Sequence, residues 1–142
     1  MPLHLIKLCV GAETFEDQRD WCERRLSALI EAGEEPLLFH ITRMVPKRVD
    51  ELLDGGALYW VIKGNIQARQ KLVDIRPFTD TSGIRRCKLM LDPELQPTQW
   101  QARRAFQGWR YLEDKDAPAE VEDASTMVPP ELRTQLAELG LL

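Results

Sequence analysis

Gly55-Gly56-Ala57-Leu58-Tyr59-Trp60-Val61-Ile62-Lys63-Gly64-Asn65-Ile66-Gln67-Ala68-Arg69 is the stretch whose reading decides the fold. The paired glycines stop whatever precedes them. Ala57–Ile62 is a continuous apolar run with two aromatic and two β-branched residues, the pattern of a strand buried on both faces. Leu58, Trp60 and Ile62 share one parity, and Ala57, Tyr59 and Val61 the other. Gly64-Asn65 predicts a two-residue hairpin loop, with glycine taking the positive φ of a type II′ turn. Ile66–Arg76 then returns as the partner strand. Its apolar parity changes between Leu72 and Val73, which predicts a β-bulge near Gln70–Leu72 and a bent sheet.

Upstream, Leu3–Val10 reads as a central strand, ended by Gly11. Thr14 followed by Asp17 is a capping-box-like start for a helix running to about Ala32, with Phe15, Cys22, Leu26, Leu29 and Ile30 on one face. Pro36–Met44 alternates as a second strand, and Arg48–Asp54 forms a short helix that Gly55 stops. Downstream, Thr79–Gly83 is a turn and Ile84–Leu91 a strand, completing an antiparallel meander. Thr98–Phe106 reads as a short helix, and Trp109–Leu112 as a final strand. The expected fold class is α+β: a curled, mainly antiparallel sheet, open to closing as a barrel, with a long N-terminal helix and short helices. Residues 1–112 form the expected domain. Residues 113–128 are acidic and poor in large apolar side chains, the composition of a linker. Residues 129–142 open on Pro129-Pro130 and carry Leu132, Leu136 and Leu139 at helical spacing, a C-terminal helix that docks either back on the domain or onto a second copy as a homodimer.

The chain has 142 residues, enough for one domain with a core, and no apolar run of membrane-spanning length. Its start lacks the basic segment and cleavage site of a signal peptide. Three scattered cysteines make neither a disulfide framework nor a zinc motif and suit a reducing cytoplasm. The net charge is −4, yet residues 43–110 carry 13 Lys/Arg against 7 Asp/Glu. A basic middle between acidic ends suggests an anionic partner.

Catalytic, metal and cofactor motifs are absent from the sequence: it has no Gly-rich phosphate loop, no G-x-S-x-G and no paired-histidine spacing. His4 and His40 both lie in apolar strands, where a histidine is more often a hydrogen-bonded core residue than a base. A Cys9–His40 dyad is geometrically possible, but nothing in the sequence selects it. The stronger signal is cationic. Arg43, Lys47 and Arg48 crowd the start of the short helix, against its dipole. Lys63 stands at the hairpin tip, and Arg69 and Gln70 at the expected bulge. Arg103, Arg104, Gln107, Trp109 and Arg110 fall within Arg-Arg-Ala-Phe-Gln-Gly-Trp-Arg-Tyr-Leu. Arginine binds phosphate bidentately and stacks on bases, and tryptophan is a stacking platform. The competing reading is that the aromatic residues are core, with arginine stems lying over them.

His-Leu-Ile-Lys-Leu-Cys-Val-Gly-Ala, Thr-Arg-Met-Val-Pro-Lys-Arg, Gly-Gly-Ala-Leu-Tyr-Trp-Val-Ile-Lys-Gly and Arg-Arg-Ala-Phe-Gln-Gly-Trp-Arg-Tyr-Leu together resemble an uncharacterised family of short bacterial proteins, a domain of unknown function. The resemblance covers residues 4–112 and implies a bacterial, cytoplasmic protein with no established activity. At the level of architecture the expected fold is similar to PUA-like and ASCH-like domains, many of which bind RNA or modified bases, although their diagnostic motifs are missing. The expected function is binding of nucleic acid, RNA or single-stranded, on a basic face of the sheet. The alternatives are an enzyme or receptor for a small phosphorylated metabolite, with the same cations lining a closed pocket, and a protein-interaction module.

Overall fold

A computed structural model describes residues 2–121. The first strand, β1 (Leu3–Leu8), leads into α1 (Phe15–Glu31), β2 (Leu38–Thr42) and α2 (Val49–Leu53). The hairpin β3 (Ala57–Ile62) and β4 (Asn65–Thr79) follows, then β5 (Arg85–Leu91), β6 (Gln96–Ala102), β7 (Trp109–Glu113) and a 3₁₀ turn at Asp114–Asp116. All six residues of β3 are buried. Thr14 Oγ1 accepts the Asp17 N–H at 3.1 Å, and Asp17 Oδ2 accepts the Glu13 N–H at 3.1 Å, so the start of α1 is capped by both partners.

The strands form one seven-stranded sheet in the order β2-β5-β4-β3-β1-β7, with β6 also paired to β4. Only the β1–β3 pairing is parallel. The α+β class, the curled sheet and the N-terminal helix agree with the sequence. The curl does not close into a barrel: β2 and β7 stand at opposite ends of the order. Its cause is β4. The first part of this 15-residue strand pairs with β3 and β6, and its second part with β5. The pairing with β5 slips between Leu72 and Asp74, leaving Val73 exposed while Leu72 and Ile75 are buried. That is the expected bulge, placed one residue further along.

The sheet separates two apolar clusters. One holds Leu5, Leu58, Trp60, Leu72, Leu89 and Trp109, with Phe15 and Cys22 of α1 and Leu52 of α2. The other, on the opposite face, holds Ile6, Tyr59, Val61, Ile66 and Leu112.

Three local expectations are corrected. The hairpin loop is Lys63-Gly64, with φ of +50° and +81°, and Ile62 pairs with Asn65. Two positive φ values make this a type I′ turn, one of the two types whose twist matches that of the flanking strands. Residues 96–102 form β6, where a helix was expected to begin. The free edge of β4 recruits this segment, burying Thr98 against the sheet. Finally, the acidic stretch from Glu113 to Val121 is not free of the domain. Glu113 ends β7, Glu120 bridges to Thr98, and the N–H groups of Gln99 and Val121 bond to the carbonyls of Ala119 and Pro97. The rest of the expected linker and the C-terminal helix lie outside the described residues.

Candidate anion-binding groove

Of the sequence-predicted cations, three converge, most of the others are engaged elsewhere, and Arg43 stands apart. Arg103, Arg104 and Arg110 converge. They line one groove of about 390 Å³, together with Ile6 of β1, Phe106, and Tyr111 and Leu112 of β7. The groove forms because β6 ends beside the hairpin. The Arg103 N–H donates to the Gly64 carbonyl at 2.9 Å, which fixes where the loop to β7 begins. Arg103 Nε and Nη2 donate to Gln101 Oε1 at 2.9 and 2.6 Å, so this guanidinium is oriented by a neutral amide. The Arg110 guanidinium lies over the Phe106 ring, 4.9 Å from its centroid. Arg104 and Gln107 are exposed on the connecting loop. Among the described residues, none of the three arginines has a carboxylate within 4.0 Å.

Lys47 and Arg48 meet the same strand from the α2 side. Their backbone N–H groups donate to the Tyr111 hydroxyl at 3.0 and 3.2 Å. The Arg48 guanidinium sits 5.5 Å from the Tyr111 ring centroid and bonds to Glu51. Arg43 is exposed in the loop after β2. Lys63 pairs with Glu13 at 3.5 Å, both well exposed, so solvent screens this pair.

Arg69, Gln70 and Trp109 take structural positions. Arg69 donates to Glu120 at 3.0 Å and to the Tyr59 hydroxyl at 3.1 Å. Gln70 is 1% exposed and lies on the α1 face, where its Oε1 accepts the Trp60 indole N–H at 2.9 Å and its Nε2 donates to the Asp92 carbonyl at 3.1 Å. Trp109 is 5% exposed and donates to the Met44 carbonyl at 2.8 Å, which ties β7 to the loop before α2.

Both histidines have pKa values held below the ordinary 6.5. His4 Nδ1 accepts the Ala57 N–H at 3.0 Å, so Nε2 carries the proton and donates to Asp114 Oδ1 at 2.8 Å. Burial lowers its pKa, which the Asp114 bond only partly opposes. His40 is brought down to about 4 by burial and then by the Lys7 charge. Cys9 and His40 line one cleft, but burial pushes the Cys9 thiol up to about 11, away from activation as a nucleophile.

That cleft was missed from the sequence. It lies between α1, the end of β1, and β2, and has a volume of about 680 Å³. Gln18 faces it and is 5% exposed. A signal for Gln18 existed: it sits three residues after Phe15 and four before Cys22, on the apolar stripe of α1.

The chain belongs to a family of proteins of unknown function, DUF1489, which it matches over residues 5–142. No curated protein and no solved structure matches it.

Proposed function

We propose that the protein binds single-stranded nucleic acid, RNA foremost, through the Arg103–Arg104–Arg110 groove. One observation carries this reading. Three guanidinium groups from two stretches of chain share a groove with no carboxylate among the described residues to neutralise them. Gathered like charges cost stability, and a phosphate among them offsets that cost with charge-assisted hydrogen bonds. Phe106, half-buried beneath Arg110, adds an aromatic surface beside the phosphate path. Lys63 stands at the hairpin turn whose Gly64 anchors Arg103, and its exposed pair with Glu13 is easily exchanged for a phosphate. Three free thiols, and no described helix long and apolar enough to cross a membrane, fit a cytoplasmic setting.

A small phosphorylated metabolite in the same groove is the second reading, favoured by a volume within the range of ligand sites. Titration of fluorescein-labelled RNA and DNA oligonucleotides of increasing length separates the two. Strand binding strengthens with length and weakens with salt, with a log–log slope of about −2 for three neutralised phosphates on a single strand. Affinity that is independent of length favours the metabolite. Absence of binding at low salt ends the nucleic-acid reading.

A further inference from the structure

The cleft beside α1 lies on the sheet face opposite the groove, since Trp60 belongs to one apolar cluster and Ile6 and Leu112 to the other. Nothing in the nucleic-acid reading uses it. β1 and β2 stand three strands apart in the sheet, yet both line this cleft because β4 bends the sheet around it. We propose that it is a second binding site, for a small, uncharged, planar heteroaromatic molecule with an N–H donor on its edge.

The shape and lining set the ligand class. A volume of about 680 Å³ is that of a small-molecule site. Trp60, Phe39, His40 and Trp21 contribute aromatic rings to its lining. His40 and Trp60 stand edge to face with centroids 5.3 Å apart. Trp60 is held by the Gln70 amide, so its ring is a fixed wall. Trp21 is 51% exposed on α1, a large apolar ring left at the cleft's edge. Flat rings are the shape that such a lining takes up most fully.

The polar groups set the edge chemistry. Gln18 is buried, and its Oε1 has no hydrogen-bond partner. Native folds seldom leave a buried acceptor in that state. Gln70 does not relieve it: its Oε1 accepts from Trp60, one N–H of its amide goes to the Asp92 carbonyl, and the other is directed at Cys22 Sγ, 4.0 Å away. A ligand N–H directed at Gln18 Oε1 supplies the missing donor. The neutral His40 ring adds one donor and one acceptor on the other wall. The charged residues of the lining balance, with Lys7 and Arg24 against Asp17 and Asp20, so nothing selects a net charge on the ligand. Desolvation pushes the half-buried Cys9 thiol and the buried Cys22 thiol up to about 11, so neither is activated as a nucleophile toward the ligand.

The test uses the full chain labelled with ¹⁵N, with uracil, adenine and nicotinamide as probes and toluene as a flat ring without an N–H. The polar probes should give saturable shifts of the Gln18 side-chain amide and of the Trp21 and Trp60 indole signals, while toluene binds about tenfold more weakly. Gln18→Leu should weaken the polar probes about tenfold, leave toluene unaffected, and leave oligonucleotide binding at the groove unchanged. Trp21→Ala, at a half-exposed position that the fold does not need, should weaken all four rings. Saturable shifts by none of the polar probes at millimolar concentration, or equal affinity for toluene, would overturn the proposal. So would undiminished probe binding in Gln18→Leu or, should that variant not fold, in Trp21→Ala.

Discussion

Gly56 shows how a single residue joins the elements. A Cβ at this position would overlap the carbonyl oxygens of Leu52 in α2 and Leu3 in β1. Both are backbone atoms fixed by their elements, so neither can yield. Gly56→Ala is expected to cost about 3 kcal/mol, measured by urea unfolding. The histidines set the pH response. Both have folded pKa values below the unfolded value of 6.5. The unfolded chain therefore binds more protons as pH falls below 6.5, and stability drops from there toward about 4, where His40 titrates in the folded state. Above 6.5 their contribution is fully present. Asp74 and Asp80, whose pKa values are lowered by bonds to Arg76 and Arg86 and by backbone N–H groups, extend the loss to more acid pH. His40→Gln should flatten the stability profile between pH 6.5 and 5; an unchanged slope would show that His40 does not set the acid response.

Among the elements, the β3–β4 hairpin and α1 were the most legible in the sequence. The apolar run of Ala57–Ile62 and the Thr14–Asp17 cap state their structures locally. β6 was not legible. Gln-Pro-Thr-Gln-Trp-Gln-Ala carries no apolar alternation, and its strand form comes from the edge of β4, which is distant in sequence. The hairpin turn offers a prediction of mixed sign. Lys63 holds a φ of +50°, which asparagine tolerates better than lysine. Lys63→Asn should raise stability by about 0.5 kcal/mol while weakening oligonucleotide binding, read by thermal unfolding and by titration. Tyr111 links β7 to α2 through two N–H bonds to one hydroxyl. Tyr111→Phe should cost about 1 kcal/mol, with the ring packing retained.

At the scale of the whole molecule, charge composition showed that the middle of the chain is basic but not where its cations go. The sheet order separates them. Arg103, Arg104 and Arg110 meet because the end of β6 and the edge strand β7 border the same groove. Arg48, Lys63 and Arg69 are drawn to Glu51, Glu13 and Glu120. These acids are far from their partners in sequence except for Glu51, so no local pattern announces the pairing. The cleft beside α1 was hidden for a similar reason, since its walls come from α1 and five strands.

The proposed nucleic-acid site stands on three arginines that meet no carboxylate among the described residues. Its most direct measurement is the affinity of one labelled single-stranded RNA for the natural chain and for the double variant Arg104→Glu/Arg110→Glu. Both side chains are exposed, so the variant should unfold at nearly the same temperature. Binding at low salt should be lost in the variant and retained in the natural chain. Equal affinity for the two proteins would exclude the groove as the site of binding.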